Sequence, residues 1–224
     1  KKTISKHVPP ALPKQRNRID RTRKLFIDGK QKRSDSGYDR KIFNSKNELI
    51  GQVPEGNRKD IRDAVEAATQ AGKWKNMTAH NRAQILYYAA ENLELRKEEF
   101  SNTIQNMTGK DGRHEVESTL ETIFHYAAWA DKFEGIIHDI PIRGVSLALN
   151  EPIGVLGIVC PDKNPLLSFV HLVFSALCTG NNIVAIPSER FPLCALDLYQ
   201  IFESSDMPAG AINIITGERD SLTQ

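Results

Sequence analysis

Three short segments of this 224-residue chain gather the side-chain types that bind sugars and phosphates. They are Pro161-Asp162-Lys163-Asn164-Pro165, Ile186-Pro187-Ser188-Glu189-Arg190 and Thr216-Gly217-Glu218-Arg219. A carboxylate such as Glu189 can accept hydrogen bonds from ribose hydroxyls, and Lys163 or Arg219 can meet a phosphate. The chemistry on offer is nucleotide binding, although neither a Gly-x-Gly-x-x-Gly fingerprint nor a P-loop is present. Loop charges are also commonly just solvated, and Pro161 and Pro165 can serve only to shape a turn, so spacing alone leaves both readings open. Cys160 ends a strand-like run and is the best placed thiol for nucleophilic attack, but no histidine flanks it. Cys178 and Cys194 also sit among apolar residues, and all three read as reduced core cysteines of a cytoplasmic protein. His114 and His125 lie three helical turns apart and read as surface or packing residues. No metal site is expected.

Each polar segment follows an apolar run. Residues 153–159 are continuously apolar and bounded by Pro152 and Pro161, the pattern of a strand buried on both faces. An apolar helix over 166–177, stopped by Gly180, leads to a second buried strand over 183–186. A helix over 192–202 then leads to a third strand over 211–215, closed by Gly217. Three β-α units in succession predict an α/β fold with a doubly wound, Rossmann-like parallel sheet. In such sheets ligands bind at the carboxyl ends of the strands, where all three polar segments must lie.

Upstream, residues 24–30 read as a strand and a turn at Asp28-Gly29. Residues 38–44 and 47–53 read as two further strands, and Val145–Leu149 as another. Asn57 caps a first helix that Gly72 can stop, and Thr78 caps a second. A third helix over 97–107 ends at Gly109, and a long fourth runs through Phe133 to Gly135. Residues 1–24 carry nine Lys or Arg against one Asp, a balance of about +8, which leaves about −6 for the rest of a chain whose total is +2. With Pro9, Pro10 and Pro13 this stretch reads as a flexible basic linker; a nucleic-acid arm is the alternative, and nucleic acid is not the expected partner. The organisation expected is a linker over 1–24, strands and helices over 25–150 that begin an oligomerisation arm, and a Rossmann-like half-domain over 151–224. Near-neutral net charge and the absence of any long apolar run argue against membrane insertion. A first residue other than Met suggests a piece of a longer chain.

At these same segments the sequence resembles the aldehyde dehydrogenase superfamily. Glu151-Pro-Ile-Gly-Val-Leu-Gly-Ile-Val159 is similar to the strand entering the family's cofactor site. Pro161-x-x-x-Pro165-Leu-Leu resembles its Pro-Trp-Asn-x-Pro-Leu turn, and Ser175-Ala-Leu-x-x-Gly-Asn181 its Pro-Ala-Leu-x-x-Gly-Asn. Pro187-x-Glu-x-x-Pro-Leu193 and Met207-Pro-Ala-Gly-Ala-Ile-Asn-Ile-Ile-Thr-Gly217 match two further motifs. Leu25–Gly29, Glu66–Ala68 and Ala127–Asp131 fit the amino-terminal region. The resemblance implies NAD(P) as cofactor, with Val159, Cys160, Pro161, Glu189 and Gly217 in its seat, and pairing with a second copy or another dehydrogenase-like domain.

The departures bear on activity. By ungapped spacing Lys163 occupies the place of the family's catalytic asparagine, with Asn164 one residue later. Ile186 stands where a family lysine contacts the adenosine ribose or phosphate. Arg219 replaces the second glycine of a Gly-x-Gly loop. The chain ends at Gln224, before the family's catalytic cysteine and general-base glutamate. Without nucleophile and oxyanion donors no covalent pathway exists. With the basic linker, these features most resemble the truncated second module of aldehyde dehydrogenase family 16. The expected function is a non-catalytic structural or oligomerisation domain within a larger protein. The alternative is the front part of an active NAD(P)-dependent enzyme that oxidises aldehydes to carboxylic acids.

Overall fold

A computed structural model describes residues 22–133 and 135–223. Most of the expected basic linker lies outside the described residues. The chain opens with β1 (Leu25–Ile27) and β2 (Lys30–Lys32), joined through Asp28 and Gly29, both with positive φ. Next come β3 (Asp39–Phe43) and β4 (Leu49–Pro54), a separate antiparallel pair. Five helices follow: α1 (Arg58–Gln70), α2 (Gly72–Lys75), α3 (Ala79–Leu95), α4 (Lys97–Thr108) and α5 (Arg113–Trp129). The hairpin β5 (Ile136–His138) and β6 (Ser146–Ala148) leads into β7 (Val155–Val159), α6 (Pro165–Cys178) and β8 (Asn182–Ile186). The remainder is α7 (Leu193–Asp197), α8 (Tyr199–Ser204), β9 (Ile212–Ile214) and α9 (Arg219–Leu222).

The main sheet has the order β2-β1-β9-β8-β7. β7, β8 and β9 are parallel, as two successive helical crossovers require. β1 joins antiparallel to β9 through Phe26 and Ile214, so the amino-terminal hairpin extends the same sheet. Asn213 fixes that join: its amide donates to the Ile183 and Gly210 carbonyls, and its carbonyl accepts from Asp28 N at 3.0 Å. Local capping chemistry starts the helices. Asn57 and Asp60 form a reciprocal capping box on α1, and the Thr78 hydroxyl accepts from Asn81 N on α3. One apolar core runs from α3, α4 and α5 through α6 to β8 and β9, so the parallel strands and the helical region share an interior.

Four sequence expectations are corrected. β7 is not buried on both faces: it is the edge of the sheet, Val159 is 45% exposed and Ile153, ahead of it, 85%. A continuous apolar run signals burial only if a neighbouring strand covers it, and among the described residues none pairs with the outer edge of β7. The long fourth helix stops a turn early, at Trp129. The span 192–202 is two short helices that meet at Leu198. Gly72 opens α2 rather than simply ending α1.

Gly210, in the turn before β9, meets two constraints at once. Its φ is +78°, and a Cβ there would lie 2.7 Å from the Ala67 carbonyl oxygen and from Ala71 Cβ on the neighbouring helix. Left-handed strain plus overpacking against backbone should make Gly210→Ala destabilising by about 2–4 kcal/mol. A urea unfolding midpoint indistinguishable from wild type would contradict this.

Candidate functional site

The carboxyl ends of the three parallel strands form one rim. Val159, Cys160, Pro161, Asp162 and Lys163 leave β7, Ile186 to Arg190 leave β8, and Thr216 to Arg219 leave β9. The rim therefore gathers the three polar segments and Cys160, whereas His114 and His125 lie on α5, Cys178 ends α6 and Cys194 lies on α7. It also ties the segments to one another.

Arg219 supplies the central contacts. Its Nη2 donates to the Cys160 carbonyl and to Asp162 Oδ1, both at 2.7 Å. Asp162 Oδ1 also accepts from Ser188 Oγ at 2.7 Å and from Arg190 N at 3.4 Å. Ser188 in turn accepts from Phe191 N, which fixes the turn after β8. The Arg219 backbone N–H donates to Glu189 Oε2 at 3.3 Å. Thus one arginine links the ends of all three strands. Burial pushes the Asp162 carboxyl up, but the Ser188 and Arg190 hydrogen bonds and the Arg219 charge outweigh it and hold it below the ordinary aspartate value. Because the folded value is the lower one, this contribution to stability is present at neutral pH and lost as pH falls through it.

A second layer braces the first from the β3–β4 pair. Arg40 Nη1 lies 3.8 Å from Glu189 Oε1, and Arg40 Nε lies 3.2 Å from Glu55 Oε2. Glu55 Oε1 accepts from Glu218 N at 2.7 Å. Gly56 N donates to the Thr216 carbonyl, and Thr216 Oγ1 donates to the Pro54 carbonyl. A Cβ at Gly217 would meet Leu222 Cδ1 at 2.7 Å, so a side chain there requires the leucine to shift.

The thiol beside the rim is a poor nucleophile. Cys160 is 1% exposed, and burial pushes it up to about 12 against the opposing Arg219 charge. Burial raises Cys178 and Cys194 as well. Lys163 and Asn164 lie exposed on the turn into α6. Asn164 adopts φ 48° and makes no side-chain cap, and the Lys163 carbonyl accepts from Ser168 Oγ at 2.7 Å. Among the described residues no cluster of metal-ligating side chains occurs.

The amino terminus of α6, next to this turn, is filled by a residue that sequence reasoning missed. Glu115 of α5 accepts from Leu166 N at 2.8 Å and Leu167 N at 3.2 Å through the same Oε1. Such a terminus attracts anions, and here the chain supplies its own. The available signal was Pro165 at the first helical position with no Ser, Thr or Asp to cap it. Glu115→Ala should lower stability by about 1–2 kcal/mol, whereas Glu115→Gln should keep an acceptor and lose less. Burial pushes the Glu115 carboxyl above its ordinary range, against the two backbone N–H groups. With the folded value the higher one, its protonated form is the more stabilising; that contribution is full at low pH and falls as pH rises through the folded value. In glutamine this slope should vanish. Urea midpoints followed across the acid range check both statements.

Two residues of this rim differ from those a dinucleotide seat uses. The second glycine of a phosphate-binding turn lets backbone approach the diphosphate; Arg219 puts a guanidinium there and binds it to Asp162. Ile186 is 6% exposed and offers no cation.

Comparison with known proteins places this geometry. Residues 33–224 match the Aldehyde dehydrogenase family. The chain is 36% identical over 220 residues to mouse (Mus musculus) retinaldehyde dehydrogenase 3, covering 93% of this chain and 43% of that protein. It is 34% identical over 209 residues to the putative aldehyde dehydrogenase DhaS of Bacillus subtilis, covering 88% and 41%. Among solved structures it superposes on betaine aldehyde dehydrogenase from Staphylococcus aureus in complex with NAD+, with a TM-score of 0.86, 29% identity and coverage of 90% of this chain and 42% of that one. The chain thus spans less than half the length of these relatives. On the match over residues 33–224 and the shared fold, this chain belongs to the aldehyde dehydrogenase family.

Proposed function

We propose that this chain is a non-catalytic scaffold and oligomerisation module of a larger protein, of the kind found as the truncated second module of aldehyde dehydrogenase family 16. It works in the cytoplasm, pairs with a second copy or with another dehydrogenase-like domain, and has lost ordinary NAD(P) binding. The observation that carries this reading is Arg219, whose guanidinium sits 2.7 Å from both the Cys160 carbonyl and Asp162 where a cofactor needs bare backbone. The apolar β5–β6 hairpin supports the assembly role: Ile137 is 75% exposed and Leu147, directly opposite, 57%. Calorimetry with NAD+ on this chain should give no saturable heat; a micromolar dissociation constant would end the reading.

A second reading is favoured by the relatives that were solved with NAD+. In it the chain is the amino-terminal part of an active NAD(P)-dependent enzyme that oxidises aldehydes to carboxylic acids. The residues that follow Gln224 discriminate the two: a catalytic domain bearing a nucleophilic cysteine and a glutamate base favours activity.

A further inference from the structure

We infer that the outer edge of β7 pairs with the same edge of a second copy of this chain, antiparallel about a twofold axis at Gly157, so that two five-stranded sheets become one. The inference rests on the scaffold reading, because a catalytic half following in the same chain would cover this edge itself. The contact is separate from the β5–β6 hairpin. Its first support is the backbone. The Gly154 carbonyl accepts from Asn182 N at 2.8 Å, and Cys160 N donates to the Ile186 carbonyl at 2.9 Å. In a parallel ladder of that register Leu156 and Ile158 turn their N–H and C=O groups to β8, and Val155, Gly157 and Val159 turn theirs outward. Among the described residues no strand meets them. Paired antiparallel about the axis, the two glycines exchange both hydrogen bonds, and Val155 of each copy does the same with Val159 of the other. Every outward group of the strand is then used. Pro161, which has no N–H, ends the ladder beyond Val159.

The side chains fit the same register. The strand Val155-Leu-Gly-Ile-Val159 carries no charge. Leu156 lands opposite Ile158 of the second copy and Val155 opposite Val159, all of them apolar cross-strand pairs. Charge complementarity fixes the register. Glu151 lies six residues before Gly157 and Lys163 six after it, so each glutamate comes to the end of the strand where the second copy carries its lysine. Both residues are exposed, and among the described residues neither is in a salt bridge. The opposite edge of the sheet is built differently. β2 is Lys30-Gln31-Lys32, all exposed, and lysines on an edge strand resist pairing. β7 carries no such guard, and an uncovered apolar edge is a template for aggregation.

Sedimentation velocity and hydrogen exchange of the full-length protein, each over a range of protein concentrations, test the pairing. In wild type, exchange over residues 155–159 should slow as concentration rises. Gly157→Lys sets two lysines face to face at the axis, while within one chain a Cβ there meets nothing within 4 Å. It should weaken association about a hundredfold or more and make exchange over 155–159 independent of concentration. Should that variant not fold, the flanking charges decide. Glu151→Lys alone and Lys163→Glu alone should each weaken association about tenfold, and the two together should restore it, which a merely structural role does not produce. Wild-type exchange over 155–159 that ignores concentration, or charge reversals that do not rescue each other, would overturn the pairing and leave the scaffold reading in place. Micromolar NAD+ binding by the same protein would instead overturn the scaffold reading, and this inference with it.

Discussion

Full-length protein carrying both Ile137→Asp and Leu147→Asp is expected to sediment as a smaller species than wild type, with self-association weakened about a hundredfold or more. The two residues are cross-strand partners on one face of the β5–β6 hairpin. Side chains directly opposite on a sheet lie about 5 Å apart, so the two substitutions put two like charges together where apolar contact is expected. The surrounding segment is also apolar and exposed: Ile136, Ile142, Val145 and Leu149 are each more than 60% accessible. A two-stranded hairpin is marginal alone in water and needs something to cover it, and contiguous exposed apolar surface of this kind marks an interaction site. Truncation of a central apolar anchor commonly costs about 2 kcal/mol or more in binding, and two such losses exceed a hundredfold. Sedimentation at several concentrations reads the result. An unchanged species would remove the hairpin from the assembly and leave the scaffold reading without its interface.

The second large effect concerns the interior. Trp74→Ala should destabilise the fold by about 3–5 kcal/mol, a large share of the roughly 5–15 kcal/mol that holds a typical domain. Trp74 is fully buried on the short helix α2, and its indole Nε1 donates to the Leu177 carbonyl at 3.2 Å near the end of α6. The substitution opens a cavity between the helical region and α6 and removes one of two donors to that carbonyl, which keeps the Gly180 N–H at 2.8 Å. Trp74→Phe should fall between the two, since it fills part of the volume but donates nothing. Urea unfolding followed by circular dichroism measures both. A loss below about 1 kcal/mol for the alanine variant would mean that α2 does not belong to the cooperative core.

Elements defined by adjacent residues were legible before any coordinates. The turn at Asp28-Gly29, the Asn57 and Thr78 caps and the left-handed Gly109 after α4 each follow from side-chain chemistry within a few positions. The three parallel strands were legible because their apolar runs alternate with helical ones. What failed depended on neighbours distant in sequence. The run at 153–159 carries the same apolar signature whether a strand lies beside it or not, so its edge position was hidden. The addition of β1 and β2 to the main sheet rests on one pairing, Phe26 with Ile214, which no local pattern encodes. The site divided in the same way. Its location followed from topology and put Cys160, Glu189 and Arg219 at one rim. Its state did not: the contact from Arg219 to Asp162 spans 57 positions, and that from Glu115 to Leu166 spans 51. Residue type alone left Arg219 equally suited to greet a phosphate or to exclude one. The geometry places it on an internal carboxylate.

A structure of the full-length protein determined in saturating NAD+ tests this most directly. Arg219 should remain bonded to Asp162 and to the Cys160 carbonyl, with no nucleotide at the ends of β7, β8 and β9. Arg219 swung aside, an adenosine ribose on Glu189 and an ordered diphosphate over Gly217 would contradict it.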